Sequence, residues 1–225
     1  MHDLASYEKY LASLVPQPQL RLIKDVEMDL KDILNPSELL NQLYFVQHNY
    51  LSFDDFFELY ATTHDIELHK RFNVKDWQQF SDGLRARLYR TQFGFLTEYH
   101  AYFLCKHIFG DSLVERSTVL DKIGVDFRVK LQNENYNIHI FVDTKRAWAY
   151  RQYKSRTKQV DAHEGVHVNL PYALEEGRFN SLHFLPNRFG IYTAAYIQYF
   201  EQEVLAGRIK NNNIVGTTSS GFVYR

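Results

Sequence analysis

The sequence has few of the features that mark a secreted or membrane protein. Its single cysteine, Cys105, lies in an apolar stretch, so the chain can form no internal disulfide and we expect a reducing compartment. No apolar run approaches the length of a membrane span. The first residues, MHDLASYEKYLASL, carry acids where a signal peptide would carry basic residues. We therefore expect a cytoplasmic protein with no membrane association.

An excess of positive charge is also absent. The formal net charge is -1, which excludes a protein that holds nucleic acid by bulk charge but leaves room for a local basic surface. No Gly/Ser linker and no internal repeat divide the 225 residues. We predict one domain over residues 1–225, with a helical N-terminal part (1–80), a core (81–210) and a C-terminal extension (211–225).

Hydrophobic periodicity predicts the elements of this core. Apolar residues recur at helical spacing over residues 81–110, where Ser81 or Asp82 can cap a long helix and Gly110 can end it. Further along the chain we predict strands at 125–131, 138–145 and 165–172, a short helix at 147–159, a second helix at 189–207 and an extended segment from Asn211. This order indicates an α/β (α+β) fold, a mixed sheet flanked by helices.

A hairpin is predicted around the polar segment QNENYN, residues 132–137. A symmetric turn would pair residue 132 with 137, which places Asp126 opposite Asp143, with Lys145 on the same face. Gly124 would lie opposite Lys145 and leave room for a substrate. Opposed carboxylates need a compensating cation, so the register predicts a Mg²⁺ site.

This constellation suggests hydrolysis of a phosphodiester bond. In this hypothesis Asp126 and Asp143 bind Mg²⁺, a metal-bound water attacks, and Lys145 supports the nucleophile. Glu98, on the long helix, precedes the hairpin and completes the pattern. The alternative is an exposed polar strand face with an ordinary ion pair.

The segment after Asp143 is basic and aromatic. It has no acid before Asp161, and its side chains can bind phosphates and stack on sugars or bases. A solvated basic helix is the alternative. The predicted DNA contacts are Arg146, Tyr150, Arg151, Tyr153, Lys154, Arg156 and Lys158.

The motif HEGVH, residues 163–167, matches the H-E-x-x-H signature of zinc proteases. Two zinc-binding histidines at this spacing must lie on adjacent turns of a helix, because on a strand they would be about 13 Å apart. Gly165, the β-branched Val166 and Val168, and Pro171 favour a strand. We therefore predict no zinc site here.

The order Glu, Asp, Asp-x-Lys on helix, strand and strand resembles the PD-(D/E)xK nuclease superfamily. Blocks such as LRLIKDVEMDL, LNPSELLNQLY, LSFDDFFELY, LDKIGVD and FGIYTAAYIQYFEQ are, more narrowly, similar to the TaqI-type restriction endonucleases, over about residues 7–206. The resemblance implies a homodimeric, Mg²⁺-dependent type II enzyme that cuts double-stranded DNA at a short palindrome. For this family that site is TCGA, and the cut leaves 5′-phosphate ends.

The resemblance also assigns residues and partners. LDKIGVD implies Asp121 and Asp126 as carboxylates near the metal, and VDTK implies Lys145 as the catalytic lysine. The expected partners are double-stranded DNA, a second copy of the chain and, genetically, a DNA methyltransferase. Two alternatives remain open: a nuclease of the same fold in repair or recombination, and a non-catalytic DNA-binding module.

Overall fold

The computed structural model describes residues 4–23, 30–157, 165–173, 181–211, 213–218 and 221–224. The chain divides into two compact units. The first unit comprises Met1–Leu96 and Pro186–Phe189, and the second comprises Thr97–Leu185 and Gly190–Arg225. The single domain predicted from the sequence, with internal boundaries at residues 80 and 210, stays a prediction, since a compact unit is not the same property as a folding domain.

The first unit is helical, as the sequence predicts. Its helices are α1 (Leu4–Ser13), α2 (Pro36–Leu40), α3 (Phe53–Thr63) and α4 (Asp65–Phe72), with 3₁₀ turns at Pro18–Arg21 and Asp32–Leu34 and a π-helical stretch at Asn41–Val46. Side chains cap α2 and α3: Asn35 accepts from the Ser37 amide at 3.1 Å, and Ser52 accepts from the Asp55 amide at 3.1 Å. Pro36 follows its cap at the first helical position, where its missing N–H costs nothing.

The long helix is confirmed as α5 (Trp77–Phe109), which runs from the first unit into the second. It begins four residues earlier than predicted, because Asp76 accepts a hydrogen bond from the Gln79 amide at 3.1 Å and so occupies the capping position assigned to Ser81 or Asp82. It ends where predicted, at Gly110, whose φ of 97° favours glycine. Among the described residues, no helix is both long and apolar enough to cross a membrane.

Cys105 is fully buried on α5, and burial raises the pKa of its thiol. Because the thiolate is the reactive form, we expect no reaction of the native protein with a disulfide reagent such as DTNB at neutral pH. One equivalent should react after unfolding in guanidinium. Rapid labelling of native protein would contradict this burial.

The second unit contains a mixed sheet, which confirms the predicted fold class. Among the described residues, six strands pair in the order β1 (Val114–Glu115), β2 (Phe127–Leu131), β3 (Glu134–Val142), β4 (Val166–Tyr172), β7 (Asn213–Thr218) and β8 (Gly221–Tyr224). The pairs β3/β4 and β4/β7 are parallel, and the others are antiparallel. Two further strands, β5 (Leu182–Phe184) and β6 (Gly190–Tyr192), form a separate antiparallel pair.

The two faces of this sheet differ in polarity because successive strand residues point to opposite sides. The apolar face carries Phe127 and Tyr136, whose rings contact Tyr102 of α5 at 6.1 Å and Phe200 of α8 (Ala194–Leu205) at 5.9 Å. The opposite face is polar yet buried, and carries Asn137, His139, His167 and Asn169. Helix α7 (Lys145–Thr157) packs on this polar face, since Trp148 contacts Phe141 at 4.6 Å.

The predicted hairpin exists, but its predicted register was wrong. Leu131 pairs with Glu134, so the turn consists of Gln132 and Asn133 alone, both with left-handed φ values of 49° and 63°. Such a two-residue turn matches the twist of an antiparallel pair better than the six-residue loop that we predicted. The register therefore shifts by four residues and aligns Asp126 with His139, not with Asp143.

The second strand of the hairpin also ends earlier than predicted. It stops at Val142, and Lys145 begins α7 instead of continuing the strand. The cause is Thr144, whose hydroxyl accepts from the Ala147 amide at 3.2 Å and whose carbonyl accepts from the Trp148 amide at 3.0 Å. The helix predicted over 147–159 is thus present but starts two residues before its predicted position.

The later elements partly follow the predictions. The strand predicted over 165–172 is confirmed as β4. The continuous helix expected over 189–207 was wrong in its first part, which forms β6 before Thr193 caps α8 by accepting from the Tyr196 amide at 3.3 Å. The extended tail is confirmed as the β7/β8 pair.

Candidate functional site

Three carboxylates that the sequence singles out are gathered around one buried arginine, Arg116. Glu98 comes from α5, Asp121 from α6 (Thr118–Lys122), and Asp126 from the turn that precedes β2. We call these three acids with Arg116 the acid cluster. The Arg116 side chain is 4% exposed; its Nη1 donates to the Glu98 carboxylate and, at 2.7 Å, to the backbone carbonyl of Asp126.

The charge on Arg116 is strongly favoured by this setting. Burial acts to lower the pKa of the guanidinium, but the charges of Glu98, Asp126 and Asp121 outweigh burial, and the pKa is raised. The guanidinium is therefore a permanent cation among three acids.

Asp126 is fixed by the neighbouring strand. Its amide donates to the carbonyl of Ile138 at 3.0 Å, and its carboxylate oxygen Oδ2 accepts from the amide of Ile140. Backbone groups on either side of His139 therefore hold both the main chain and the side chain of Asp126. A carboxylate held by strand backbone keeps one orientation, as a catalytic or ligand group requires.

The histidine between those two residues extends this support. His139 Nδ1 lies 2.9 Å from the carbonyl of Gly124, so Nδ1 must carry the hydrogen. In neutral His139 the other nitrogen, Nε2, then accepts from Nδ1 of His167 at 2.9 Å, with the two rings stacked at 16°. The predicted place of Gly124 opposite Lys145 was wrong: Gly124, with φ of 80°, forms the turn that His139 holds.

Two arginines border the polar face of the sheet. Arg128 Nε donates to Asn137 at 2.8 Å, and Arg151 Nε of α7 donates to Asn169 at 2.8 Å. Burial lowers the pKa of Arg151, while the negative charge of Asp126 acts in the opposite direction. The guanidinium of Arg151 therefore lies within electrostatic reach of Asp126.

Asp143 and Lys145 do not join Asp126 as the sequence predicts. Asp143 follows β3 four residues beyond the partner of Asp126, about 13 Å along the strand. Its amide donates to the carbonyl of Tyr172 at 2.7 Å, and its buried carboxylate accepts from the indole of Trp148. Lys145 is exposed at the first position of α7. The predicted convergence of two carboxylates and one ammonium is therefore corrected by the observed register.

The divalent-metal site predicted from the sequence stays a prediction. Among the residues that the structure describes, no three His, Cys, Asp or Glu side chains are arranged to hold a metal ion. The metal ligands predicted from the sequence were Asp126, Asp143 and Asp121. In the structure the Asp143 carboxylate accepts from the indole of Trp148 on α7. The cation at the centre of the acid cluster is the guanidinium of Arg116.

Helix α7 carries most of the predicted DNA contacts. Arg146, Tyr150 and Tyr153 are exposed, with Tyr150 at 59% and Tyr153 at 62%. Arg151 differs from them because it turns toward Asn169 on the sheet. Lys154 and Arg156 also belong to α7, whereas Lys158 lies outside the described residues.

The zinc-protease motif is not helical where it can be seen. His163 and Glu164 lie outside the described residues, but His167 belongs to β4 and binds His139. The strand predicted for this part of the motif is confirmed.

Several residues of this site were missed from the sequence. The alternation of polar and apolar residues in NYNIHIFV could have shown that Asn137 and His139 share one strand face. Nothing local marks Arg116, because its role depends on residues 18 positions before it and 10 after it. Arg151 and Asn169 likewise meet only in the fold.

A helical region followed by a mixed sheet, with carboxylates gathered where β2 begins, places the chain in the α/β class. Within that class the chain belongs to the TaqI restriction endonuclease family, whose family model matches residues 4–181. The type II restriction enzyme TaqI of Thermus aquaticus is 29% identical over 184 residues, which cover 76% of this chain and 68% of that protein. No solved structure matches the chain. The family resemblance predicted from the sequence is confirmed.

Proposed function

We propose that this protein is a type II restriction endonuclease that hydrolyses both strands of DNA within a short palindrome and leaves 5′-phosphate ends. Family membership supports the class of enzyme. The observation that carries the proposal is the position of Asp126 in the acid cluster, in the same unit as the exposed basic and aromatic surface of α7. Mg²⁺ dependence and the site TCGA follow from the relatedness to TaqI-type enzymes, as does a PD-(D/E)xK core.

In the proposed hydrolysis, the acid cluster and the arginine and lysine side chains of α7 have different roles. Asp126, with Glu98 and Asp121, supplies negative charge where a water must be activated. Arg151, fixed by Asn169 and near Asp126, is suited to a phosphate that carries extra charge during attack. Lys145 and Arg146 in the first turn of α7 can bind the DNA backbone, because amides and cations at a helix N-terminus attract phosphates.

In this proposal Asp143 has a structural role. Its buried carboxylate accepts from the Trp148 indole and thereby ties the start of α7 to the end of β3. Lys145, two residues further on, then meets DNA at a defined distance from the sheet. A role for Asp143 as a metal ligand and for Lys145 beside the nucleophile stays a prediction.

A palindromic target also implies a partner. Two identical chains related by a two-fold axis can each cut one strand, so we propose a homodimer on double-stranded DNA. A methyltransferase of the same specificity would protect the host DNA, which makes it a genetic partner of the enzyme.

Exposed tyrosines on α7 should contribute to DNA affinity. Replacing both Tyr150 and Tyr153 by serine should weaken DNA binding about fivefold to tenfold, because the apolar contact of each ring with sugars and bases is lost. The stability of the protein should not change, since both side chains are exposed. Fluorescence anisotropy of a labelled duplex at one fixed salt concentration measures the change. Leu205→Ser, at a residue 58% exposed on α8, is the matched control and should bind like the wild type. If the double-tyrosine variant bound DNA as tightly as the wild type, this part of α7 would not belong to the DNA-binding surface.

The proposed function is tested by digesting plasmid DNA of known sequence with Mg²⁺ and sequencing the ends, beside Asp126→Asn protein. Discrete fragments that end at TCGA would establish the activity and its specificity. Fragments ending at another palindrome would retain the enzyme class and reject TCGA. Cuts at junctions or flaps without sequence preference would favour a repair nuclease, and binding without cleavage in Mg²⁺ or Mn²⁺ would favour a non-catalytic module.

A further inference from the structure

We propose that His139 is a positioning residue of the nuclease site: its imidazole holds the carbonyl of Gly124 and thereby fixes the orientation of the Asp126 carboxylate. A second histidine, His167, supports this role because it fixes the tautomer of His139. The inference rests on the proposed function, since it names a residue on which Asp126 depends for its position during hydrolysis.

Three consecutive residues of β3 hold the turn that precedes β2. The carbonyl of Ile138 accepts from the Asp126 amide at 3.0 Å, and the amide of Ile140 donates to Asp126 Oδ2. Between these two residues, His139 Nδ1 donates to the carbonyl of Gly124 at 2.9 Å. Any residue other than proline could make the two backbone contacts, whereas the third contact requires a donor in the side chain at position 139.

The bond to Gly124 acts where the backbone of the turn is least restrained. Gly124 has a φ of 80°, and glycine loses more conformational freedom on folding than any other residue. Because Gly124 lies two residues before Asp126, a backbone rotation at Gly124 would displace the Asp126 carboxylate. The Gly124 amide also donates to the carbonyl of Asp121 at 2.8 Å, so His139 restrains the segment that joins α6 to β2.

His167 favours the tautomer of His139 that this bond requires. A backbone carbonyl only accepts, so the bond to Gly124 needs a hydrogen on Nδ1 of His139. His167 Nδ1 lies 2.9 Å from Nε2 of His139 and donates to it when the His139 ring is neutral. The two residues are only 4% and 2% exposed, so water cannot readily replace either partner. The imidazole of His139 is therefore held in one tautomer and one orientation.

Two substitutions of His139 separate its two hydrogen bonds. The amide nitrogen of asparagine is as many bonds from the backbone as Nδ1, so His139→Asn retains the donor for Gly124 and loses the acceptor for His167. The amide group of glutamine lies at the distance of Nε2, so His139→Gln can bind His167 but not Gly124. Each variant loses one of the two bonds, and a purely structural histidine would respond alike to both. His107→Gln, at an exposed histidine of α5, is the matched control.

The first measurement separates the rate of single-turnover cleavage from the affinity for a labelled duplex in EDTA. We expect His139→Gln to cleave about thirtyfold more slowly than the wild type, because a small displacement of a reacting group is costly. His139→Asn and His107→Gln should cleave within about threefold of the wild type, and all three variants should bind DNA within about twofold. Equal rates for the two His139 variants would overturn the proposal, as would a loss in His139→Gln that is confined to DNA affinity.

The second measurement follows the position of Asp126 without cleavage. Hydrogen exchange at the Ile140 amide, measured by NMR, reports the bond of this amide to Asp126 Oδ2. Exchange should be about tenfold faster in His139→Gln and within about threefold of the wild type in His139→Asn. Unchanged exchange in His139→Gln would contradict the proposal. If neither variant folds, the wild type decides: NMR at alkaline pH, where imidazole is neutral, should place the ring hydrogen of His139 on Nδ1, and a hydrogen on Nε2 alone would overturn the proposal.

Failure of this inference and failure of the proposed function give different results. Cleavage by the wild type, with equal rates and equal Ile140 exchange in the two His139 variants, rejects only the role of His139. Faster Ile140 exchange in His139→Gln but not in His139→Asn, with no cleavage of any DNA by the wild type, retains the positioning of Asp126 and rejects the nuclease.

Discussion

Asp126→Asn is expected to slow DNA cleavage about a thousandfold, the size of effect seen when a preorganised group that stabilises a transition state is lost. Asparagine keeps the shape of the side chain, and its amide oxygen can still accept from Ile140, so the turn before β2 should remain in place. The charge facing the reacting phosphate would be lost. Single-turnover cleavage of a short duplex, with enzyme in excess, measures the chemical step separately from DNA release.

The control for this variant is another aspartate of the second unit. Asp111 is exposed and forms an ion pair with Lys106 at 3.3 Å, outside the acid cluster, so Asp111→Asn should cleave within about twofold of the wild type. Both variants should show the thermal transition of the parent protein. If Asp126→Asn retained cleavage at a rate near that of the wild type, Asp126 would have no catalytic role and the site would have to be sought elsewhere.

Arg116→Met is expected to have the largest effect on stability, a loss of about 3–5 kcal/mol in the free energy of unfolding. Methionine removes the hydrogen bonds to Glu98 and Asp126 and leaves the Glu98 carboxylate, only 18% exposed, without its cation. Urea unfolding followed by Trp148 fluorescence in a Trp77→Phe background reports on the second unit.

Two further variants show whether the loss of stability comes from the buried carboxylate. Adding Glu98→Gln to Arg116→Met should recover part of the lost stability, because the stranded carboxylate is removed together with its partner. Arg85 also contacts two acids, Asp54 and Glu58, but both are more than 60% exposed, so Arg85→Met should cost less than about 1 kcal/mol. Equal losses for Arg85→Met and Arg116→Met would mean that burial of the cluster contributes nothing to stability.

Periodicity was sufficient to predict the elements that repeat over many residues. The 33-residue helix α5, the strand β4 and the helical first unit all follow from apolar spacing. The predictions were wrong where one or two residues determine the backbone conformation. Gln132 and Asn133 alone set the hairpin register, and a single threonine cap turned Lys145 from a strand residue into a helical one.

The candidate site was predictable in its residues but not in its arrangement. Glu98, Asp121 and Asp126 could be selected because their order along the chain resembles that of a known family, and the structure gathers them. Their common partner, Arg116, lies outside any motif. The sequence shows which groups carry charge, whereas the neutralising group depends on how α5, α6 and β2 approach one another.

The two-residue turn at Gln132 and Asn133 also limits how this sequence can change in evolution. Substitutions that tolerate a left-handed backbone, such as glycine or asparagine, leave the strand phase unaltered. An insertion or deletion of one residue would invert that phase and send the side chains of β2 to the wrong sides of the sheet, with Phe127 toward α7 and Arg128 toward α5. Length variation among related sequences should therefore avoid this turn, or occur there in steps of two residues.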